Sequence, residues 1–204
     1  MAADIKSALT AAAAISDQRH KIEQYKFLLS SIISTNNVSH AKAFVDHMVS
    51  DEVALVASRQ LLQTFAQDLV KLDPEAHKEV AQYALMQIQP RVVSFEEQVS
   101  VIREGLAELY VNEEEWSKAA QMLSGIDLES GIRMLDDTYK LSKCVKIALL
   151  YLEIELVEGK KNVVVDALSR KRQVSIFYHN ELEEMKGQYA SMLKMRTLQG
   201  SMKR

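Results

Sequence analysis

Residues 106–123 read LAELYVNEEEWSKAAQML, and no other stretch limits the fold as strongly. Leu106, Ala107 and Tyr110 fall on one helical face, Trp116 follows a short polar break, and Ala119 and Ala120 lie on the next helix. Alanine at the facing positions lets two helix backbones approach closely, and the Tyr and Trp rings fill the space beside them. The pattern predicts an antiparallel helix pair. One such pair cannot bury its own apolar faces, so several must stack. Stacked pairs make surfaces for other proteins rather than a reactive cleft.

The spacing fits a tetratricopeptide-like hairpin, and part of it recurs. Ala107 and Tyr110 return as Ala148 and Tyr151, both 41 residues later. Lys140 to Glu153 is therefore predicted as the first helix of a further hairpin. Only 6 Gly and 2 Pro in 204 residues leave few breakers, which points to an all-α chain. Helical periodicity starts at Asp17, with Ile22, Tyr25, Leu28, Leu29, Ile32 and Ile33 recurring at three and four. Thr35-Asn36-Asn37 breaks it, and Val38 to Val49 forms a second helix on Ala41, Phe44, Val45 and Met48. Asp51 is the expected cap of a third helix with Val53, Val56, Leu61, Leu62, Phe65 and Leu69 as its apolar side. Asp73-Pro74-Glu75 opens a fourth. Ser94 to Glu97 reads as a capping box for a fifth helix running to about Tyr110. Asn112 with Glu113, Glu114 and Glu115 opens a sixth, the acids offsetting the helix dipole. The Ala-rich leader within residues 1–16 is expected to be a flexible tail.

Beyond Glu153 the pattern changes. The positions six, nine and ten after Tyr151 are Val157, Lys160 and Lys161, not an aromatic and two alanines. Residues 1–153 carry 15 basic and 22 acidic side chains; residues 154–204 carry 10 and 6. A repeat left half-made and a reversal of charge coincide, which reads as a junction between two unrelated stretches. A divergent capping helix is the alternative, because terminal repeats are often atypical.

Several strings in the first part resemble a known family. ISDQRHKIEQYKFLLSS (15–31), SRQLLQTFAQDL (58–69), IQPRVVSFEEQ (88–98), EEEWSKAAQMLSGI (113–126) and KLSKCVKIALLYLE (140–153) are similar to the N-terminal half of the fourth-subunit family of the COP-nine signalosome, in its plant form. The resemblance implies a right-handed solenoid of antiparallel helical hairpins, followed in that family by a winged-helix (PCI) module. It implies a non-catalytic scaffold in cullin deneddylation, with other signalosome subunits and the cullin-RING ligase as partners, in cytoplasm and nucleus. The metalloprotease centre of that complex sits on a different subunit. The later repeats and the PCI module are expected to be absent from this chain. The string GKKNVVVDALSR (159–170) resembles the end of the ribonuclease H region of gypsy-type retroelements. There the residue matching Asp166 is one of several metal-binding carboxylates. Two divalent ions need several such groups in one pocket, so Asp166 alone makes no site.

The resulting division is a tail over 1–16, a helical-repeat domain over 17–153, a basic linker of retroelement-like origin over 154–179, and a terminal amphipathic helix with tail over 180–204. The last rests on Leu182, Met185, Tyr189 and Met192 at helical spacing, a Met-rich face that docks loosely.

No catalytic, cofactor-binding or metal-ligating set emerges. His20, His40, His47, His77 and His179 do not pair at ligand spacing and are read as surface or half-buried residues. Cys144, the single cysteine, is read as a small core residue. It excludes an intramolecular disulfide and suits a reducing compartment. Gly125 and Gly131 are isolated, so no phosphate loop is present. Lys160, Lys161 and Arg170 to Arg172 form a basic cluster without interleaved aromatics and are read as a solvated linker, not a specific nucleic-acid site. The densest apolar run, Ile147 to Leu152, is far short of a membrane span. No small-molecule substrate is indicated. The functional expectation is a protein-interaction scaffold whose contributing repeat residues are Leu106, Ala107, Tyr110, Trp116, Ala119, Ala120, Ala148 and Tyr151. The rivals are a truncated, non-functional or interfering remnant and a retroelement ribonuclease H fragment.

Overall fold

The computed structural model describes residues 2–128 and 135–157. Every element among them is helical. Two compact units divide at Asp127 and Leu128.

The first unit contains seven α-helices: α1 (Ala2–Ala13), α2 (Gln18–Ser34), α3 (Val38–Val49), α4 (Leu55–Asp68), α5 (Pro74–Ile88), α6 (Glu96–Asn112) and α7 (Trp116–Ser124). Short 3-10 turns follow α4 (Leu69–Lys71) and α5 (Gln89–Ser94). Helices pack on their next-but-one neighbours as well as on adjacent ones. α1, α3 and α5 form one row, and α2, α4 and α6 form the other. This two-row arrangement closes a core that no single pair could close.

The rows are in register. Asn36 Nδ2 donates to Asp73 Oδ2 (2.5 Å), Lys42 Nζ to Glu79 Oε1 (2.7 Å) and Tyr83 Oη to Asp46 Oδ1 (2.7 Å). Each pair is separated by 37 residues. In the other row Arg59 Nε donates to the Ser94 carbonyl (2.6 Å) and Gln98 Nε2 to Gln63 Oε1 (3.2 Å), both 35 residues apart. A near-constant offset between polar partners is what repetition of one helix pair produces. α1 packs on α3 as α3 packs on α5, and Lys6, Leu9 and Thr10 line a cleft with Ala43, Asp46, His47, Ser50 and Glu52.

That corrects the expectation of a flexible tail over 1–16. Ile5, Leu9 and Ala12 are buried, and α1 packs on α2 and α3. Their spacing of four and three is helical. The Ala-rich composition hid it, since small side chains give little contrast between faces.

Local chemistry sets the ends. Asp17 caps α2, its carboxylate accepting from the His20 N–H (2.9 Å), and Asn37 caps α3 through the His40 N–H (3.0 Å). Three predicted starts are corrected. Asp51 does not cap α4. The helix begins at Leu55, after Asp51 has turned to Arg91 (3.1 Å), and Val56 on its first turn is 80 % exposed. Ser94 closes a 3-10 turn, so no capping box forms and Phe95 stands at the start of α6 without a side-chain cap. Asn112 ends α6 instead of opening α7, which starts at Trp116.

Two helices end alike. Asn36 and Glu114 have positive φ, 49° and 60°. After α2 the Asn36 and Asn37 N–H groups donate to Ile33 and Ile32; after α6 the Glu114 and Glu115 N–H groups donate to Val111 and Tyr110. Both are Schellman closures, which favour glycine in the left-handed position. Asn tolerates it; Glu does so at a cost. Glu114→Gly is expected to raise stability by about 0.5–1 kcal/mol. Urea denaturation of the two proteins checks it, and an unchanged or lower midpoint would show that Glu114 is not strained.

In the second unit α8 spans Asp137–Val157, longer than the expected Lys140 to Glu153. The Asp136 carboxylate accepts from the Tyr139 N–H (2.5 Å) at its start. Val145, Leu150 and Leu152 are buried, whereas Cys144, read as a core residue, is exposed. α8 is apolar around much of its circumference, so its buried face is not evident from periodicity. The rest of the predicted linker, the retroelement-like string and the terminal helix lie outside the described residues.

Candidate protein-interaction surface

Six of the eight repeat residues meet at the α6–α7 pair. Leu106, Ala107, Ala119 and Ala120 are at most 2 % exposed, and Tyr110 is 6 % exposed. The alanines permit the close approach of the two helices. Tyr110 Oη accepts from Gln82 Nε2 of α5 (2.7 Å), and the Lys118 ammonium lies 5.8 Å from the Tyr110 ring centroid. Trp116 is half-buried at the first position of α7. Ala148 is half-buried and Tyr151 is 52 % exposed, both on α8 in the second unit.

Polar links brace α6 from both sides. Lys78 on α5 contacts both Glu113 oxygens (2.8 and 3.1 Å) and Glu75 (2.6 Å). The hydrogen bond from Glu113, then that from Glu75, holds the ammonium pKa well above its ordinary value. Such a solvated clamp adds little stability. Arg103 reaches from α6 toward the Met122 carbonyl (3.4 Å), and its guanidinium lies where a side chain at Gly125 would start. Burial lowers its pKa. A Cβ at Gly125 would stand 2.1 Å from Arg103 Nη1, so a side chain there would require the guanidinium to move aside.

Among the described residues no group of three or more His, Cys, Asp or Glu is placed to hold a metal ion. His77 departs from the sequence reading. It is 3 % exposed on α5, its Nε2 has no partner, and the ring lies against Gly105 of α6. His77 precedes the buried Val80, Ala81 and Ala84 by three, four and seven residues, so helical spacing already marked its face of α5 as interior; its lack of a partner at Nε2 follows from the packing of α5 on α6. No helix among the described residues is long and apolar enough to cross a membrane.

The even row exposes Arg19, Lys26 and Phe27 on α2, Val56, Arg59, Gln60 and Gln67 on α4, and Glu97 and Glu108 on α6. Glu23 is exposed on α2 as well, so basic and acidic side chains are mixed on α2, α4 carries the basic Arg59, and the exposed charges of α6 named here are acidic. Phe27 is 70 % exposed. Sequence reading could not separate these residues from the solvated background, because exposure follows from which face the neighbouring helix takes.

Comparison with known proteins agrees with this architecture. The family model described as PSMD12/CSN4, N-terminal, matches residues 4–201. COP9 signalosome complex subunit 4 of Arabidopsis thaliana is 67 % identical over 146 residues, covering 72 % of this chain and 37 % of that protein. The Dictyostelium discoideum protein of the same name is 38 % identical over 152 residues, covering 74 % and 39 %. That of Drosophila melanogaster is 36 % identical over 138 residues, covering 66 % and 34 %. The chain therefore spans less than two fifths of the length of these relatives. With matched rows of paired helices and a family match from residue 4 to residue 201, the chain belongs to the PSMD12/CSN4 N-terminal family.

Proposed function

We propose that this chain is a non-catalytic scaffold segment equivalent to the N-terminal part of COP9 signalosome subunit 4, contributing to cullin deneddylation through protein contacts alone. The observation that carries the reading is the 67 % identity over 146 residues to the Arabidopsis subunit. The in-register rows support a solenoid of helical hairpins starting at α1, and the family resemblance implies that it is right-handed. Partners then meet helix faces and turns rather than a pocket. Other signalosome subunits and a cullin-RING ligase are the proposed partners, in cytoplasm and nucleus.

The test is co-expression of the full chain with the remaining signalosome subunits, followed by affinity purification through a tag on this chain. Recovery of at least one subunit at stoichiometric amount is the expected result. A folded chain, shown helical by circular dichroism, that recovers none would overturn the scaffold reading and favour an inactive remnant.

A further inference from the structure

The corner where α1, α2 and α3 meet gathers Tyr25, His47 and Glu52, and the scaffold reading does not use them. Tyr25 of α2 is fully buried, and its hydroxyl lies 2.8 Å from His47 Nε2 in the last turn of α3. The rings are 5.6 Å apart between centroids. His47 Nδ1 faces Glu52 Oε2 at 3.7 Å. The backbone between them is pinned: Ser50 Oγ donates to the His47 carbonyl (2.7 Å) and accepts from the Glu52 N–H (3.3 Å). An open cleft of about 260 Å³ runs along this corner, lined by Lys6, Leu9 and Thr10 of α1 and by Asp46, His47 and Glu52, among others.

We propose that His47 is a proton-sensitive joint between the first two helix pairs, holding α2 to α3 when neutral and releasing them when it takes up a proton. Glu52 on the Nδ1 side places the ring proton there, which leaves Nε2 to accept from the Tyr25 hydroxyl. A second proton must go onto Nε2. That nitrogen then donates, and the Tyr25 O–H has to turn away inside a fully buried site. The phenol loses its acceptor, and a buried donor without a partner is costly.

The surrounding charges do not reverse this. Lys6 from α1 opposes the new charge. Glu52 favours it but is 69 % exposed and therefore screened. Asp46 is engaged by the Tyr83 hydroxyl of α5 (2.7 Å). Asp51 is held by Arg91 (3.1 Å). The α3 carboxyl-terminal end favours a cation. Burial outweighs Glu52, so the imidazole pKa lies below its ordinary value of 6.5. The joint is therefore fully closed above that value, and the stability it contributes is lost as pH falls below it.

The test is amide hydrogen exchange on the full chain at pH 7.5 and 5.0, corrected for intrinsic exchange rates. Peptides from α2 and α3 are compared with peptides from α5 and α6, which report separately on His77. His47→Gln is the companion variant, since its amide keeps a partner for Tyr25 and does not titrate. Opening of α2 and α3 is expected to increase roughly fivefold or more at the lower pH in the parent protein and to stay within about twofold in His47→Gln. Equal acid sensitivity in both proteins would overturn the proposal. So would a parent protein whose α2 and α3 protection does not change.

Discussion

Phe44→Ala is expected to lower the unfolding free energy by about 3–5 kcal/mol, the largest effect of any change considered. Phe44 is fully buried on α3 and stacks on the equally buried Phe65 of α4, with centroids 6.0 Å apart and planes 24° from parallel. α3 is also the helix that touches α1, α2, α4 and α5. A cavity beneath that ring faces two rows of helices held in fixed register, so neither row can collapse into it without breaking polar links such as Lys42–Glu79 and Tyr83–Asp46. Typical domains hold about 5–15 kcal/mol in all, so the loss would leave a protein near its folding threshold. Urea denaturation followed by circular dichroism measures it. A loss under about 1.5 kcal/mol would show that the core around α3 relaxes freely and that the rows are not rigid.

The opposite sign is expected for His77→Leu. His77 is almost completely buried with Nε2 unpartnered, and burial pushes its pKa below the ordinary value of 6.5. Leucine fills a similar space on α5 without a polar atom to desolvate. A gain of about 1–2 kcal/mol near neutral pH follows from removing a buried group that lacks a partner. The pH dependence has a definite direction. In the unfolded chain the imidazole binds a proton more readily than in the folded one. The stability it allows is fully present above 6.5 and is lost as pH falls below that value. The advantage of His77→Leu should therefore widen between pH 7.5 and 5.5. Denaturation at both values is the measurement. A variant less stable than the parent at both would mean that Nε2 has a partner in solution, or that leucine cannot fit against Gly105, which lies 3.3 Å from that nitrogen when given a Cβ.

The residues that were hard to read share a cause. Asp51, Ser94 and Asn112 are good capping types next to apolar periods, and each was assigned to a helix start. In the structure Asp51 turns to Arg91, 40 residues away, Ser94 ends a 3-10 turn and gives its carbonyl to Arg59, 35 residues away, and Asn112 completes the helix before it. Capping preference is worth about 1 kcal/mol, little enough for a distant partner or a tighter turn to override. α1 failed for a different reason: alanine gives almost no contrast between a buried and an exposed face. The repeat read at 41 residues links Tyr110 to Tyr151 across the two units, whereas the register observed inside the first unit is 35–37 residues. Loops and 3-10 turns absorb length between helices, so spacing along the chain is a poor guide to which side chains meet.

Apolar periodicity, scarce breakers and the Ala–Tyr–Trp–Ala pattern around residues 106–120 were enough to specify paired helices. Those properties depend on neighbours three and four residues apart, and the sequence carries them directly. Periodicity also marked interior faces, as on α3 with Ala41, Phe44, Val45 and Met48, and tertiary packing decided the departures from it. That packing left His77 Nε2 without a partner, exposed Val56 and Cys144, and brought Tyr25, His47 and Glu52 to one corner. The physical reason is that burial depends on which helix lies opposite, and contacts 35–42 residues apart leave no periodic trace along the chain.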